Sequence, residues 1–168
     1  MRRFAITFAL LAALAAPVGA LAVVRALDDG SLVVKNGEAP AKQAVVALTV
    51  TGSIIGSVEH GSVVIDVRPG DGPAPEVTGY EWRKNRKGSD TAQVWGGSDF
   101  RFRAVGGTYT LIAYGQGVNL VAVGTGTATL AGIPDTPSGD GKYSLNGDVF
   151  KSLPGTPTKQ LAIVASNG

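Results

Sequence analysis

Four cationic side chains lie within five positions of one short stretch, EWRKNRKG at residues 81–88. The four cations are Arg83, Lys84, Arg86 and Lys87, and Trp82 directly precedes them. Guanidinium and ammonium groups bind carboxylates and phosphates, and an exposed aromatic ring can stack on a sugar or a base. The stretch is therefore either an anion-binding surface or the solvated tip of a hairpin.

Three more residues extend the anion-binding interpretation. Arg101 and Arg103 alternate with two phenylalanines in the segment DFRFRA, which predicts a strand with both arginines on its outer face. Trp95 lies in the segment between. The ligand-binding set predicted from sequence is Trp82, Arg83, Lys84, Arg86, Lys87, Trp95, Arg101 and Arg103. An anionic cell-wall polymer or glycan is the expected partner, and core packing is the alternative role for the two tryptophans.

Most catalytic and metal-binding chemistry is disfavoured by composition. The chain has one histidine, His60, and no cysteine, so a multi-histidine zinc site and a thiol nucleophile are excluded. G-x-S-x-G and Walker patterns do not occur. We predict no catalytic residue, no metal and no cofactor.

Carboxylates leave one enzymatic alternative open. Two acids at a suitable distance are enough for glycoside hydrolysis, so a small secreted hydrolase is possible in principle. Convergence of these acids in one cleft, with a raised pKa for at least one, would favour it. The candidate loop carboxylates are Asp66, Asp71, Glu76 and Asp99.

The amino terminus predicts export. Two arginines precede an apolar run at 4–16, and Pro17 is followed by the small-residue pattern Ala20-Leu21-Ala22. This order is typical of a secretory signal peptide spanning 1–22, with cleavage after Ala20 or Ala22. A span of the membrane needs about 20 apolar residues, so the run is too short and no transmembrane segment is expected after cleavage. The predicted location is the cell envelope or the extracellular space, as in a bacterial exported protein.

Charge balance argues against a nucleic-acid partner. The predicted leader carries two of the 15 Lys and Arg residues and none of the 13 Asp and Glu residues. Residues 23–168 therefore have 13 positive and 13 negative side chains and no net charge. Nucleic-acid-binding domains usually carry a basic field over a whole face. Any attraction for anions must therefore be local.

The body of the chain reads as strands and turns. Gly occurs 24 times and Pro nine times, and short runs rich in Val, Ile, Thr, Phe and Tyr recur between glycines. This pattern predicts an all-β, single-domain antiparallel β-sandwich over 23–168. Gly-Gln-Gly at 115–117 and Gly-Thr-Gly at 124–126 are interpreted as breaks between strands, and Asn146-Gly147 predicts a type I′ hairpin turn within 142–151.

A weak internal repeat refines this expectation. Residues 44–69 align with 109–134 at an offset of 65, and Gly52 meets Gly117. Real duplication would give the sandwich two similar three-stranded halves. The sequence as a whole favours a non-catalytic module with a structural or binding role, and self-association through uncovered edge strands is a further possibility.

Overall fold

A computed structural model describes residues 29–36, 43–132 and 141–165. Within these ranges the chain forms nine strands and no helix, and the strands are hydrogen-bonded into one antiparallel sheet. The all-β prediction is confirmed. The described ranges accordingly contain no helix long and apolar enough to span a membrane. The signal peptide predicted at 1–22 lies outside the described residues, and the division into a leader and one domain over 23–168 stays a prediction.

The sheet has the order β3-β5-β2-β6-β1-β7-β8, with β4 beside β5 and β9 beside β6. The strands are β1 (Gly30–Asn36), β2 (Gln43–Asp66), β3 (Glu76–Thr78), β4 (Trp82–Asn85), β5 (Gln93–Gln116), β6 (Asn119–Gly132), β7 (Gly141–Leu145), β8 (Lys151–Ser152) and β9 (Leu161–Ile163).

Several strands are longer than the short runs between glycines in the sequence, and β2 and β5 each have 24 residues. The predicted break at Gly-Gln-Gly 115–117 is confirmed, because β5 ends at Gln116 and β6 begins at Asn119. β6 continues through Gly-Thr-Gly at 124–126, so that predicted break is wrong. The hairpin turn is confirmed, because Asn146 and Gly147 have φ values of 52° and 82° and the Asp148 amide donates to the Leu145 carbonyl at 2.9 Å.

The two long strands form a ribbon that winds through a full turn. Gly115 of β5 has Ala44 as its partner on one edge and Gly61, 17 residues further along β2, on the other. Gly61 in turn lies between Gly115 and Gly97, so the end of the ribbon packs beside its beginning. Seventeen strand residues span about 56 Å, which is the length of one turn of this coil.

Two cross-strand glycine pairs lie where neighbouring backbones approach most closely. Gly52 faces Gly124 of β6, and Gly61 faces Gly115 of β5. All four have φ between 140° and 157°, a region open almost only to glycine. A Cβ at Gly52 would lie 2.1 Å from the Val123 carbonyl oxygen, so no other residue fits without moving the neighbouring strand.

The core fills the inside of the coil. Apolar residues alternate along β2 and β5, and the extra residue Gly106 shifts the alternation of β5 so that Phe102 and Tyr109 both point inward. The Tyr109 side chain is fully buried, and its hydroxyl lies 3.0 Å from the carbonyl oxygens of both Pro73 and Val105. The largest fully buried side chains are Tyr109, Phe100, Phe102, Leu32, Ile54 and Ile65.

The predicted sandwich with two similar halves is not confirmed. One sheet connects all nine strands, and the two segments aligned by the repeat have different structures. Gly52 lies inside the continuous strand β2, whereas its counterpart Gly117 lies between β5 and β6. Shared β-type composition is sufficient to explain the alignment.

The glycine pairs predict a steep cost for a single methyl group. We expect Gly52→Ala to lower the free energy of unfolding by about 3 kcal/mol or more, since it adds a backbone clash to an unfavourable φ. Gly88→Ala is the matched control, because Gly88 also has positive φ but nothing lies within 4 Å of its added Cβ. Its expected cost is about 1 kcal/mol. Urea unfolding measures both, and equal costs would contradict a close approach at Gly52.

The buried phenol predicts a loss of stability at alkaline pH. Burial raises the pKa of Tyr109 above its usual value of 10.0. The neutral phenol therefore contributes stability that is complete below pH 10.0 and is lost as pH rises through the raised folded-state pKa. Tyr109→Phe should cost about 1 kcal/mol at neutral pH and flatten the alkaline decline in unfolding free energy. Urea unfolding at neutral and alkaline pH measures both effects, and an equally steep alkaline decline in Tyr109→Phe would contradict the assignment.

Candidate functional site

The charged stretch forms the outer half of a hairpin. Trp82–Asn85 pairs with β5 from Gly96 back to Gln93, and the turn between the strands is fixed by the Arg86 amide, which donates to the Ala92 carbonyl at 2.9 Å. Arg83 and Lys84 therefore lie on a strand, although the sequence places them in a loop. All residues from 81 to 88 are exposed. The side chains consequently have a defined alternation, which a free loop would not give them.

Alternation along β4 sends neighbouring cations to opposite faces. The Arg83 guanidinium lies over the Trp95 ring, with its central carbon 5.9 Å from the ring centroid. Trp82 lies flat on Gly96, where an added Cβ would come within 2.1 Å of the indole. The Lys84 ammonium is 5.0 Å from the Trp82 ring centroid. Two cation–aromatic pairs thus occupy the two sides of one short strand.

The Arg83 side of the strand borders a cleft of about 260 Å³. It lies between the end of β2, residues 74–80 and the β4–β5 hairpin. A guanidinium beside aromatic rings, with nearby hydroxyl and amide groups, is suited to an acidic group on a small or terminal ligand unit. The polar and aromatic lining residues are Tyr80, Arg83, Thr91, Gln93 and Trp95.

The Trp82 side of the strand faces outward and begins a row across the sheet. Gly96 is the partner of Trp82, Ser62 is the partner of Gly96, and Tyr114 is the partner of Ser62. Trp82 and Tyr114 are 42% and 47% exposed, and the two residues between them are small. With strands about 4.8 Å apart, the backbones of the two aromatics are about 14 Å apart along the sheet. Because the indole covers Gly96, Ser62 is the small residue that lies between the two aromatic rings.

The ligand-binding residues predicted from the sequence lie in three places, which are the β4–β5 hairpin, its turn, and the part of β5 that pairs with β3. Trp82, Arg83, Lys84 and Trp95 meet in the hairpin, and Arg86 and Lys87 lie at its turn.

Trp95 is buried, so core packing explains most of its surface. Arg101 and Arg103 are exposed on β5, as the alternation predicts, but they face β3. Arg103 lies 4.0 Å from Glu76, and Arg101 borders a separate groove with Lys35.

Two of the candidate carboxylates, those of Asp66 and Glu76, have different polar partners. Asp66 accepts a hydrogen bond from the Thr91 hydroxyl at 2.5 Å, and Glu76 pairs with Arg103. The backbone carbonyl of Asp71 accepts from the Thr108 amide at 2.8 Å. No group of three or more His, Asp or Glu residues in the described ranges could hold a metal ion.

A contact between His60 and Ser98 is not evident from the sequence. Nδ1 of His60 lies 3.1 Å from the Ser98 hydroxyl, because both residues lie in paired strands rather than in a turn. The Ser98 amide donates to Glu81 at 3.1 Å and is thus not free to stabilise an oxyanion. The pair is a polar contact between two paired strands.

No family model, curated protein or solved structure matches this chain. Since function resides in sites rather than in folds, the functional inference rests on the chemistry of the hairpin.

The two tryptophans should differ in solvent access. Trp82→Phe leaves Trp95, which is 4% exposed, and its fluorescence should be blue-shifted and weakly quenched by acrylamide. Trp95→Phe leaves the exposed Trp82, so emission should shift to longer wavelength with several-fold stronger quenching. If Trp95 were quenched more strongly than Trp82, Trp82 would not be the exposed ring of the hairpin.

Proposed function

We propose that this protein is a non-catalytic binding module of the cell envelope or extracellular space, and that it holds an anionic glycan on its β4–β5 hairpin. One observation carries the proposal. The Trp82 ring is 42% exposed and the Lys84 ammonium lies over it, so an aromatic ring and a positive charge are presented together. The export proposal rests on the signal-peptide pattern of the first 22 residues.

The geometry suggests how an acidic sugar would bind. A pyranose ring would stack on Trp82 in place of the Lys84 side chain, whose ammonium lies over the ring 5.0 Å from its centroid. The displaced ammonium would then meet the carboxylate of the sugar. A neighbouring acidic unit would reach Arg83 in the cleft on the other side of the strand. Arg86 and Lys87 at the turn would add long-range attraction that salt weakens.

The hairpin cations are available for a ligand. Among the described residues, no carboxylate forms an ion pair with Arg83, Lys84, Arg86 or Lys87. Charges on an edge strand also prevent pairing with another chain, and this alone would explain a charged β4. It would not explain an exposed tryptophan with a lysine ammonium over its ring, and this feature favours a glycan ligand.

Binding to defined polymers tests the proposal. Polygalacturonate supplies sugars with carboxylates, polyphosphate supplies charge without sugars, and dextran supplies sugars without charge. We expect polygalacturonate to bind most tightly, with weaker binding at higher salt. Combined replacement of the four hairpin cations, Arg83, Lys84, Arg86 and Lys87, by Ala should abolish binding.

A single substitution separates stacking from charge. Trp82→Ala should weaken polygalacturonate binding about tenfold and leave polyphosphate binding unchanged, since only the sugar uses the ring. Arg101→Gln/Arg103→Gln is the matched control, which removes charge from the same sheet but outside the hairpin. The hairpin site would be disproved if this control lost as much polygalacturonate binding as the variant without the four hairpin cations. It would also be disproved if that four-cation variant bound polygalacturonate as well as the unmodified protein does.

A further inference from the structure

An apolar strip crosses the outer face of the sheet away from the hairpin. Ile55 of β2 and Val121 of β6 are register partners, and they are 55% and 43% exposed. Val33 of β1 is the next partner beyond Val121. Three aliphatic side chains therefore lie side by side on three adjacent strands, facing solvent.

The same strands carry threonine on this face elsewhere. Thr49 and Thr51 precede Ile55 on β2, and their hydroxyls lie 3.1 and 2.9 Å from those of Thr110 and Thr108. Threonine suits an exposed strand as well as isoleucine does and avoids the cost of apolar exposure. The aliphatic strip therefore differs from the neighbouring threonine rows, and exposed apolar patches commonly mark interaction sites.

Two cations flank the adjacent row of the sheet. Lys35, Asn119, Ser57 and Arg101 are successive register partners across four strands. Lys35 and Arg101, at the two ends, form no ion pair with a carboxylate among the residues that the structure describes. The contact found for the Lys35 ammonium is with the Phe150 ring, at 5.4 Å from its centroid.

The strip and the cations border one groove of about 360 Å³. The groove is shallow and open to solvent. Apolar contact along the floor and positive charge at the rim complement a molecule with an alkyl chain and an acidic head.

We propose that this groove binds the alkyl chain of a single anionic amphiphile, with its carboxylate, sulfate or phosphate held by Arg101 or Lys35. A membrane surface fits less well. Interfacial binding uses a broad apolar face that enters the headgroup layer, whereas here polar Asn119 and Ser57 lie directly beside a strip of three residues. The site is independent of the glycan proposal, because its lining shares no residue with the cleft beside Arg83.

Calorimetry with dodecanoate below its micelle concentration tests the site. We expect saturable binding of one dodecanoate per chain, with weak or no binding of acetate and of the cationic dodecyltrimethylammonium. Ile55→Thr/Val121→Thr extends the surrounding threonine pattern and should weaken dodecanoate binding about tenfold or more. Lys35→Gln/Arg101→Gln should weaken it by a similar factor, and more so at low salt.

Lys84→Gln/Arg86→Gln is the matched control, since it removes the same charge from the hairpin and should leave dodecanoate affinity unchanged. Thermal unfolding of each variant verifies its folding, and the charge pair alone decides the question if the threonine pair fails to fold. Failure of the protein to bind dodecanoate, or full retention of binding in Lys35→Gln/Arg101→Gln, would overturn the proposal. So would equal binding of dodecyltrimethylammonium. Capture by phosphatidylglycerol vesicles without binding of the monomer would replace it with a membrane-docking face.

Discussion

The close approach of backbones at Gly52–Gly124 and Gly61–Gly115 is the constraint on which the rest of this structure depends. The ribbon of two strands winds back onto itself within 17 residues, and where Gly61 meets Gly115 a Cβ on either residue would collide with the backbone of the other strand. Glycine at these crossings removes the side chains and supplies the backbone angles. The coil encloses the core. One edge of β5, at residues 93–96, pairs with β4.

Side-chain alternation and turn residues within short segments allowed part of this fold to be predicted from the sequence. Alternation along DFRFRA correctly places Arg101 and Arg103 outward, and Asn146-Gly147 correctly indicates its turn, because both signals depend only on neighbouring residues. The pairing of β2 with β5 on both edges could not be predicted. A glycine that ends a strand and a glycine that lets a strand bend are identical in a sequence, and the distinction depends on partners far along the chain.

The candidate site shows the same division. Composition identifies the cationic stretch, and the sequence places its four charges together. In the structure, the alternation of side chains along β4 places Arg83 and Lys84 on opposite faces. Arg83 therefore borders the cleft, and Lys84 lies on the outer surface. The position of Trp82 on Gly96 depends on hairpin register, which the seven-residue connection from 86 to 92 did not specify. The apolar strip at Ile55 and Val121 was hidden for a related reason, since each residue alone looks like an ordinary strand residue.

The double pairing of β2 has a consequence for cooperativity. From 60 to 65 both edges of this strand are hydrogen-bonded to β5, and from 44 to 52 one edge is bonded to β5 and the other to β6. Local opening of β5 near Gly115 would break the hydrogen bonds of two strand pairings at once. The conformational entropy gained by such partial unfolding would be small compared with the number of hydrogen bonds lost. The centre of the coil should therefore open only with the whole sheet, and its amides should exchange with solvent at the rate of global unfolding, while β4 and β8 at the periphery exchange through local fraying.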